Sequence, residues 1–562
     1  MVATGSRATI RRAPVHAAVE STVRQWFAAV PAVATSGVFT PIGAGALREI
    51  IRAYRQFGPT PAMLLVTSAI RYPHRLAVVD DRGLLTYSEL RRRVDSIAAA
   101  LYATAPTAPR SIAILCRNHR GFVEAMAAGA RLGAELVFVN TELPAAQLDA
   151  ILRRHRPDVL IHDEEYADAV RDTGFAGLRV LAWHESGTGD LTLDGLAARS
   201  GRRPPPVRRP VRVTLLTSGT TGLAKGVPKA MKPRAIALLC VTAMGTIRLR
   251  RRDTVAAATP FFHGFGLVAL LGPLALGSTV VCRRRFDAGQ TLDDITRHRV
   301  TVLMAVPVML QRILALDDLD PAPARRSLRV IVTGAAPITP ITVSRVVEAF
   351  GPILVNGYGS TEAGLVTIAR PEDLAAAPDT AGYPALGVSV RVLRADRSPA
   401  DIGETGRIFV RTGLDYAGYT PETTGAVAAK NVVDGHVDTG DMGHFDARGR
   451  LTIDGRSDDM IVSGGENVFP GEVEARLTTH PEVADAAVIG VGNPEFGQVL
   501  HAFVVPAGNA APSEADLRRH LRAGLERYKV PKRFTVVAEI PRNAGGKVAK
   551  AALRASTVDP HA

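Results

Sequence analysis

The sequence predicts an α/β protein: a large N-terminal domain of layered α/β subdomains with mostly parallel sheets, followed by a small α+β C-terminal domain. Three observations carry that expectation. Short apolar runs alternate with helical stretches between residues 76 and 411, the pattern of parallel strands covered by helices. Past Arg456 the texture changes to short strands around one clear helix. A chain of 562 residues is also too long for one ordinary core.

Taken in order, the first 60 residues form an N-terminal extension. In it Leu47, Ile50, Ile51 and Tyr54 share one helical face, and Arg48, Arg52 and Arg55 another. Such a helix docks on a neighbouring domain or lies on an anionic membrane, and docking is the commoner use of an amphipathic face. The main domain is expected over residues 61–456. Within it 111–116 reads as a strand, 121–133 as a helix and 134–139 as the next strand. Further on, 292–298 reads as helical, and 300–306, 328–332 and 352–355 as extended. Between residues 197 and 213, Pro204, Pro205 and Pro206 impose an extended, exposed connector. Residues 254–282 carry no formal charge and are long enough to span a bilayer. Pro260, Gly264, Gly266, Gly272, Pro273 and Gly277 instead break them into a strand, a loop, a buried helix and a second strand. The C-terminal domain, 457–562, is expected to hold strands at 486–491, 502–505 and 534–540 around a helix at 514–527.

Composition narrows the function. The net charge is +14, which favours anionic partners in general. The arginine runs at 91–93, 248–252 and 283–285 come with no aromatic RNA-binding signature and no zinc-finger spacing, so nucleic acid is not expected. Cys116, Cys240 and Cys282 are the only cysteines and lie far apart in apolar stretches. They make neither a disulfide framework nor a metal spacing, which fits a cytoplasmic protein. His16, Glu20 and Arg24 interrupt any signal-peptide core.

Four motifs carry the chemistry. The apolar run ending at Thr217 continues into Ser218-Gly219-Thr220-Thr221-Gly222-Leu223-Ala224-Lys225-Gly226. Glycines admit an anion to backbone N–H groups, hydroxyls donate, and Lys225 adds positive charge, so the loop suits a polyphosphate. Its spacing is not that of the common nucleotide-binding P-loop. Gly334-Ala335-Ala336-Pro337 ends another strand; alone it reads as a plain turn. Asn356-Gly357-Tyr358-Gly359-Ser360-Thr361-Glu362 hints at a dinucleotide fingerprint. However, Glu362 stands where a third glycine is needed, and its carboxylate tolerates a phosphate only through a shared hard cation. Asp438-Thr439-Gly440-Asp441 places a carboxylate after a tight turn, where it can accept two hydroxyls.

Together with Gly455-Arg456-Ser457-Asp458, the glycines Gly464 and Gly465, and Gly545-Gly546-Lys547, these motifs stand in one order. In that order they resemble the adenylate-forming (ANL) superfamily, which groups acyl-CoA synthetases, peptide-synthetase adenylation domains and luciferases. Ala224 departs from the proline usual in the phosphate loop, and Gln498 stands where a glutamate is common.

The resemblance implies roles. Thr217, Ser218, Gly219, Thr220, Thr221, Gly222 and Lys225 would hold the phosphates of ATP. Gly334, Ala335, Ala336 and Pro337 would line the adenine pocket. Asn356, Gly357, Tyr358, Gly359 and Thr361 would contact the nucleotide, with Tyr358 against adenine and Thr361 on phosphate. Asp441 and Arg456 would bind ribose. Thr217 and Glu362 would ligate Mg2+, and Lys547 would be the catalytic lysine. Asp458 would be the pivot of a hinge at 456–459 that makes the C-terminal domain mobile, and Gly464 and Gly465 would edge the CoA tunnel. His263, Gly264 and Phe265 would border the acyl pocket, His263 as a gate, although a packed core histidine reads nearly as well.

The implied function is ATP- and Mg2+-dependent activation of a carboxylic acid to acyl-AMP, then transfer to CoA. The greasy run at 267–271 suggests a medium- or long-chain fatty acid, and equally suits a buried helix. A ligase that loads a carrier protein, and a non-catalytic nucleotide-binding homologue, are the alternatives. Peripheral contact with the inner face of the membrane and the oligomeric state stay open.

Overall fold

The structure is a computed structural model. It describes residues 41–556 apart from 59, 106, 144, 186, 188, 200, 202–203, 208–210, 218–224, 232, 361–362, 417–430, 464–465, 509 and 544, together with 30, 31 and 34. Two large sheets dominate. One runs in the order Leu414–Tyr416, Lys225–Met231, Val213–Thr217, Glu135–Phe138, Ser111–Leu115, Val159–Asp163, Leu178–Trp183. From Val213–Thr217 to Leu178–Trp183 every pairing in it is parallel. The other has a parallel centre in the order Leu354–Ser360, Val330–Gly334, Val302–Met304, Thr254–Ala257, Thr279–Val281, Leu76–Asp80. It continues through antiparallel strands to Leu451–Arg456 and Ser389–Leu393.

The helix Arg120–Leu132 explains how the two sheets stack. Every residue from Gly121 to Ala130 is buried; all are small or apolar except Glu124, which pairs with Arg93, so apolar residues face more than one stripe. A single core cluster therefore joins Ile112 and Leu136 of one sheet to Val255 and Val302 of the other. The uncharged stretch resolves as expected: strand Thr254–Ala257, a loop, helix Gly264–Leu276 with Ala269, Leu270 and Leu274 buried, and strand Thr279–Val281. No helix among the described residues is long and apolar enough to cross a membrane.

Three expectations are corrected. The C-terminal helix ends at Arg522 rather than at 527. Gly524 follows, packed so tightly that a Cβ there would lie 2.9 Å from the Arg476 guanidinium, and the chain continues as a short turn at Arg527–Lys529. The last strand stops at Val536, four residues early. In the N-terminal extension, Ala44–Phe57 is helical and docks, but only Ile50, Ala53 and Phe57 face Met63 and Val66 of the next helix. Leu47, Ile51 and Tyr54 stay exposed, because the docked face is turned away from them.

The chain passes from the second sheet to a third between Arg456 and Ile461. That small sheet orders Glu466–Val468, Ile461–Ser463, Gly497–Pro506 and Val483–Asn493, with Arg533–Val536 parallel to Gly497–Pro506. Its own core contains Val473, Leu477, Val488, Leu517 and Leu521.

Candidate active site

Ligands of open α/β sheets sit beyond the carboxyl ends of parallel strands, and among the described motif residues Gly334, Gly357 and Tyr358 lie at such ends. Strands Val330–Gly334 and Leu354–Ser360 pair Gly334 with Gly357. A Cβ on Gly334 would lie 2.4 Å from the Gly357 carbonyl, so the close approach demands glycine. Ala335 follows with φ +67°, a left-handed conformation rare for a residue with a side chain. Asn356 is buried and donates to the Thr380 carbonyl at 3.4 Å. A Cβ on Gly359 would meet the Gly364 carbonyl at 2.2 Å. Ala336 and Pro337 continue the loop after Ala335.

The carboxylate at Asp441 is held from two sides. The Tyr358 hydroxyl donates to Oδ2 at 2.5 Å and the Arg456 guanidinium to Oδ1 at 3.3 Å. Burial first, then the neighbouring Asp441 charge, push the Tyr358 phenol well above its usual range. Gly440, at φ +81°, brings the backbone under the guanidinium: a Cβ there would sit 3.2 Å from Arg456. The rest of the Arg456 fork goes to Asp458, at 2.9 and 3.1 Å. Burial alone would raise the Asp458 carboxyl; the Arg456 hydrogen bond and charge outweigh it and hold the group below the usual carboxylate range. Tyr358 thus contacts the carboxylate at Asp441, while its side chain packs against the core cluster that includes Val366, Val392 and Ile408.

The loop that carries Lys547 closes over the opposite wall. Asn543 organises it: its side-chain oxygen accepts from the N–H groups of Gly545 and Lys547, both at 3.0 Å. Arg542 bridges Asp485 at 2.8 Å and the Gly546 carbonyl at 3.2 Å. Gly546, at φ +77°, fits against the other domain so closely that a Cβ would lie 3.2 Å from Val306 and Val308. A Cβ on Gly545 would be 3.7 Å from His263 Nε2. Lys547 is exposed and makes no ion pair among the described residues.

His263 stands at the N-cap position of the helix Gly264–Leu276 without a side-chain capping bond, and its buried Nε2 has no partner among the described residues. Burial, and after it the Lys547 charge, push its pKa down to about 4. The His263 loop is fixed by Asn118, which donates to the carbonyls of Ala257 and Thr259 at 3.3 and 2.8 Å and accepts from Phe261 N–H at 2.8 Å. Gly266 permits the tight return, since a Cβ there would be 1.9 Å from the Pro260 carbonyl. A Cβ on Gly264 would lie 3.7 Å from Leu215, in the strand Val213–Thr217, and Phe265 is partly buried.

Two consequences are measurable. Asn118→Ala removes all three bonds and leaves two buried carbonyls and one N–H unpaired, so it should cost about 3 kcal/mol in denaturant unfolding. His263 binds no proton that the unfolded chain takes up at its ordinary pKa of 6.5. Its stabilisation is therefore present above pH 6.5 and is lost as pH falls toward 4, by at most about 3 kcal/mol. His263→Phe should flatten the pH dependence of stability across that window.

Some expected residues lie outside the described residues: Ser218, Gly219, Thr220, Thr221, Gly222, Thr361, Glu362, Gly464 and Gly465. Thr217 and Lys225 are described in their backbone, where they pair at the end of their strands. Asn118, Asn543 and Arg542 were not found in the sequence; single polar residues in loops leave no periodic signal. Elsewhere, Cys116, His119 and Asp163 lie close enough together to hold a metal. Both imidazole nitrogens of His119 are already used, accepting from Gly121 N–H and pairing with Asp163.

A family model described as AMP-binding enzyme matches residues 65–420, and one described as AMP-binding enzyme C-terminal domain matches 472–547. An indoleacetate–CoA ligase from Aromatoleum aromaticum is 33% identical, over 86% of this chain and 94% of its own. A feruloyl-CoA synthase from an Amycolatopsis species is 34% identical, over 86% and 96%. The o-succinylbenzoate CoA synthetase of Bacillus subtilis, solved with its acyl-adenylate intermediate, superposes with a TM-score of 0.75 at 27% identity, covering 87% of this chain and 97% of that one.

Proposed function

Because this chain belongs to the AMP-binding enzyme family, we propose that it is an AMP-forming acid–CoA ligase acting on a hydrophobic, ring-bearing carboxylic acid. In the first step a carboxylate oxygen bonds to the α-phosphorus of ATP and the bond to the pyrophosphate oxygen breaks. In the second, the CoA sulfur bonds to the acyl carbonyl carbon, AMP leaves with the former carboxylate oxygen, and the thiol proton goes to solvent.

The observation that carries this reading is the glycine loop of Lys547 seated on Val306 and beside His263. Carboxylate and triphosphate repel, so the first step needs positive charge where both meet. Lys547, free of ion pairs among the described residues, supplies it. His263 stays neutral down to about pH 4 and adds no competing cation. Asp441 accepts the ribose hydroxyls, oriented by Tyr358 and Arg456. The hydroxyl of Thr217 and the carboxylate of Glu362 are hard oxygen donors that suit magnesium, which when bound offsets the charge of the departing pyrophosphate. Most of the rate enhancement is then positioning and fixed charge. The Arg456–Asp458 pair at the boundary of the small domain is the hinge about which Lys547 leaves before the thiol enters.

The substrate class rests on the relatives named for indoleacetate and ferulate and on the aromatic cluster of Phe262 and His263, with rings 4.5 Å apart. The run at 267–271, which suggested a fatty acid, lies in a helix whose Ala269 and Leu270 are buried in the core, while Val268 is exposed, so helix packing explains part of its apolarity without an acyl chain. A panel of aryl, alicyclic and straight-chain acids with ATP, Mg2+ and CoA, read by pyrophosphate release and product mass, tests this. Aryl or alicyclic acids should give the highest kcat/KM and a CoA thioester. Preference for a straight-chain acid, or product only on a carrier protein, contradicts it.

A further inference from the structure

The family match begins at residue 65, so the helix Ala44–Phe57 precedes it. This helix is docked on one side through Ala53 and Phe57. On another side Leu47, Ile51 and Tyr54 form a stripe, 47, 44 and 54% exposed, at spacings that align them along one line of the helix. Arg48, Arg52 and Arg55 run along one border of that stripe, all exposed and without an ion pair among the described residues. The helix has one acid, Glu49, turned away from the stripe and held by Arg91 at 2.9 Å.

An apolar stripe suits any greasy partner, and the arginine border decides among them. A second copy would bring two arginine rows together. Residues 1–40 contribute Arg7, Arg11, Arg12 and Arg24 against the single acid Glu20, again the wrong sign. An anionic lipid surface complements both features, taking the apolar side chains to the level of the acyl boundary while the arginines reach headgroup phosphates. We propose that this helix docks the protein peripherally on an anionic bilayer.

The test uses the full chain with vesicles of phosphatidylcholine alone or of equimolar phosphatidylcholine and phosphatidylglycerol. Sedimentation is expected with the mixed vesicles only, and raised salt should weaken it. Arg48→Gln, Arg52→Gln and Arg55→Gln together should lower partitioning about 100-fold, near a factor of five per arginine. Leu47→Ser, Ile51→Ser and Tyr54→Ser together should lower it at least as much. Pyrophosphate exchange should be unchanged in both, which shows that they fold. Tyr54→Trp should show a blue-shifted emission on the mixed vesicles. Absence of sedimentation, equal sedimentation of wild type and both triple variants, or an unshifted Tyr54→Trp spectrum overturns the proposal. So does an apolar-stripe variant that changes only the oligomeric state.

Discussion

Lys547→Ala is expected to lower ATP–pyrophosphate exchange by about 10²–10³-fold or more, the usual loss when one preorganised donor is removed from developing charge. Synthesis of thioester from supplied acyl-AMP should be nearly untouched. The asymmetry follows from geometry. The loop of Lys547 packs on Val306 and Val308, and on the proposed assignment this holds the ammonium where carboxylate and α-phosphate meet. In the second step the reacting group is a thiol attacking the acyl carbonyl, so no carboxylate has to be brought against the phosphate. A merely structural lysine would move both half-reactions together, and exchange that survives in the variant removes Lys547 from the chemistry. Lys547→Arg, which keeps the charge but changes its shape, should recover only part of the rate.

Asp441→Asn is expected to behave differently. The carboxylate is positioned by Tyr358 at 2.5 Å and Arg456 at 3.3 Å, and hydrogen bonds to a charged acceptor contribute about 1.5–3 kcal/mol each. Loss of the charge should therefore reduce kcat/KM for ATP about 100-fold, chiefly through KM. On the proposed assignment the ribose of acyl-AMP uses the same carboxylate, so the thioester half-reaction should fall as well. Tyr358→Phe, which removes one orienting bond and no charge, should cost about tenfold. If Asp441→Asn impairs only the first half-reaction, the carboxylate does not hold the ribose.

The layered α/β class was legible because alternation of apolar runs with helical stretches is a long-range signal. The uncharged stretch at 254–282 was legible because its glycines and prolines leave no room for a spanning helix. Element ends were read less well. The helix at Glu514–Arg522 stops where Gly524 packs under Arg476, a tertiary contact with no local mark. The face of Ala44–Phe57 was read as one, yet the structure divides it. Docking depends on which side the next helix presents, and Leu47, Ile51 and Tyr54 fall outside the contact.

Within the site, it was the resemblance to a known family that grouped Gly334, Tyr358, Asp441 and Arg456; taken singly, Gly334, Asp441 and Arg456 read as turn residues. Their pairings were not legible, because Tyr358 and Asp441 are 83 positions apart and meet only through strand order. Asn118 is further still from the Phe261 N–H that it fixes, and nothing in its neighbours announces the role.

The docked Lys547 loop is the proposed pose of the first step and an obstacle to the second. A disulfide can hold that pose, since a Cβ on Gly546 would lie 3.6 Å from Val306 Cβ, within the span that a disulfide bridges. The left-handed φ of +77° costs a side chain there about 1–2 kcal/mol. Val306→Cys removes one of the two methyl groups at 3.2 Å, and the Val308 methyl must give way. With Val306→Cys and Gly546→Cys oxidised, the enzyme should release about one equivalent of pyrophosphate per site and retain acyl-AMP. It should make no acyl-CoA until a reductant is added. Acyl-CoA formed by the oxidised protein as fast as by the reduced one would contradict the account.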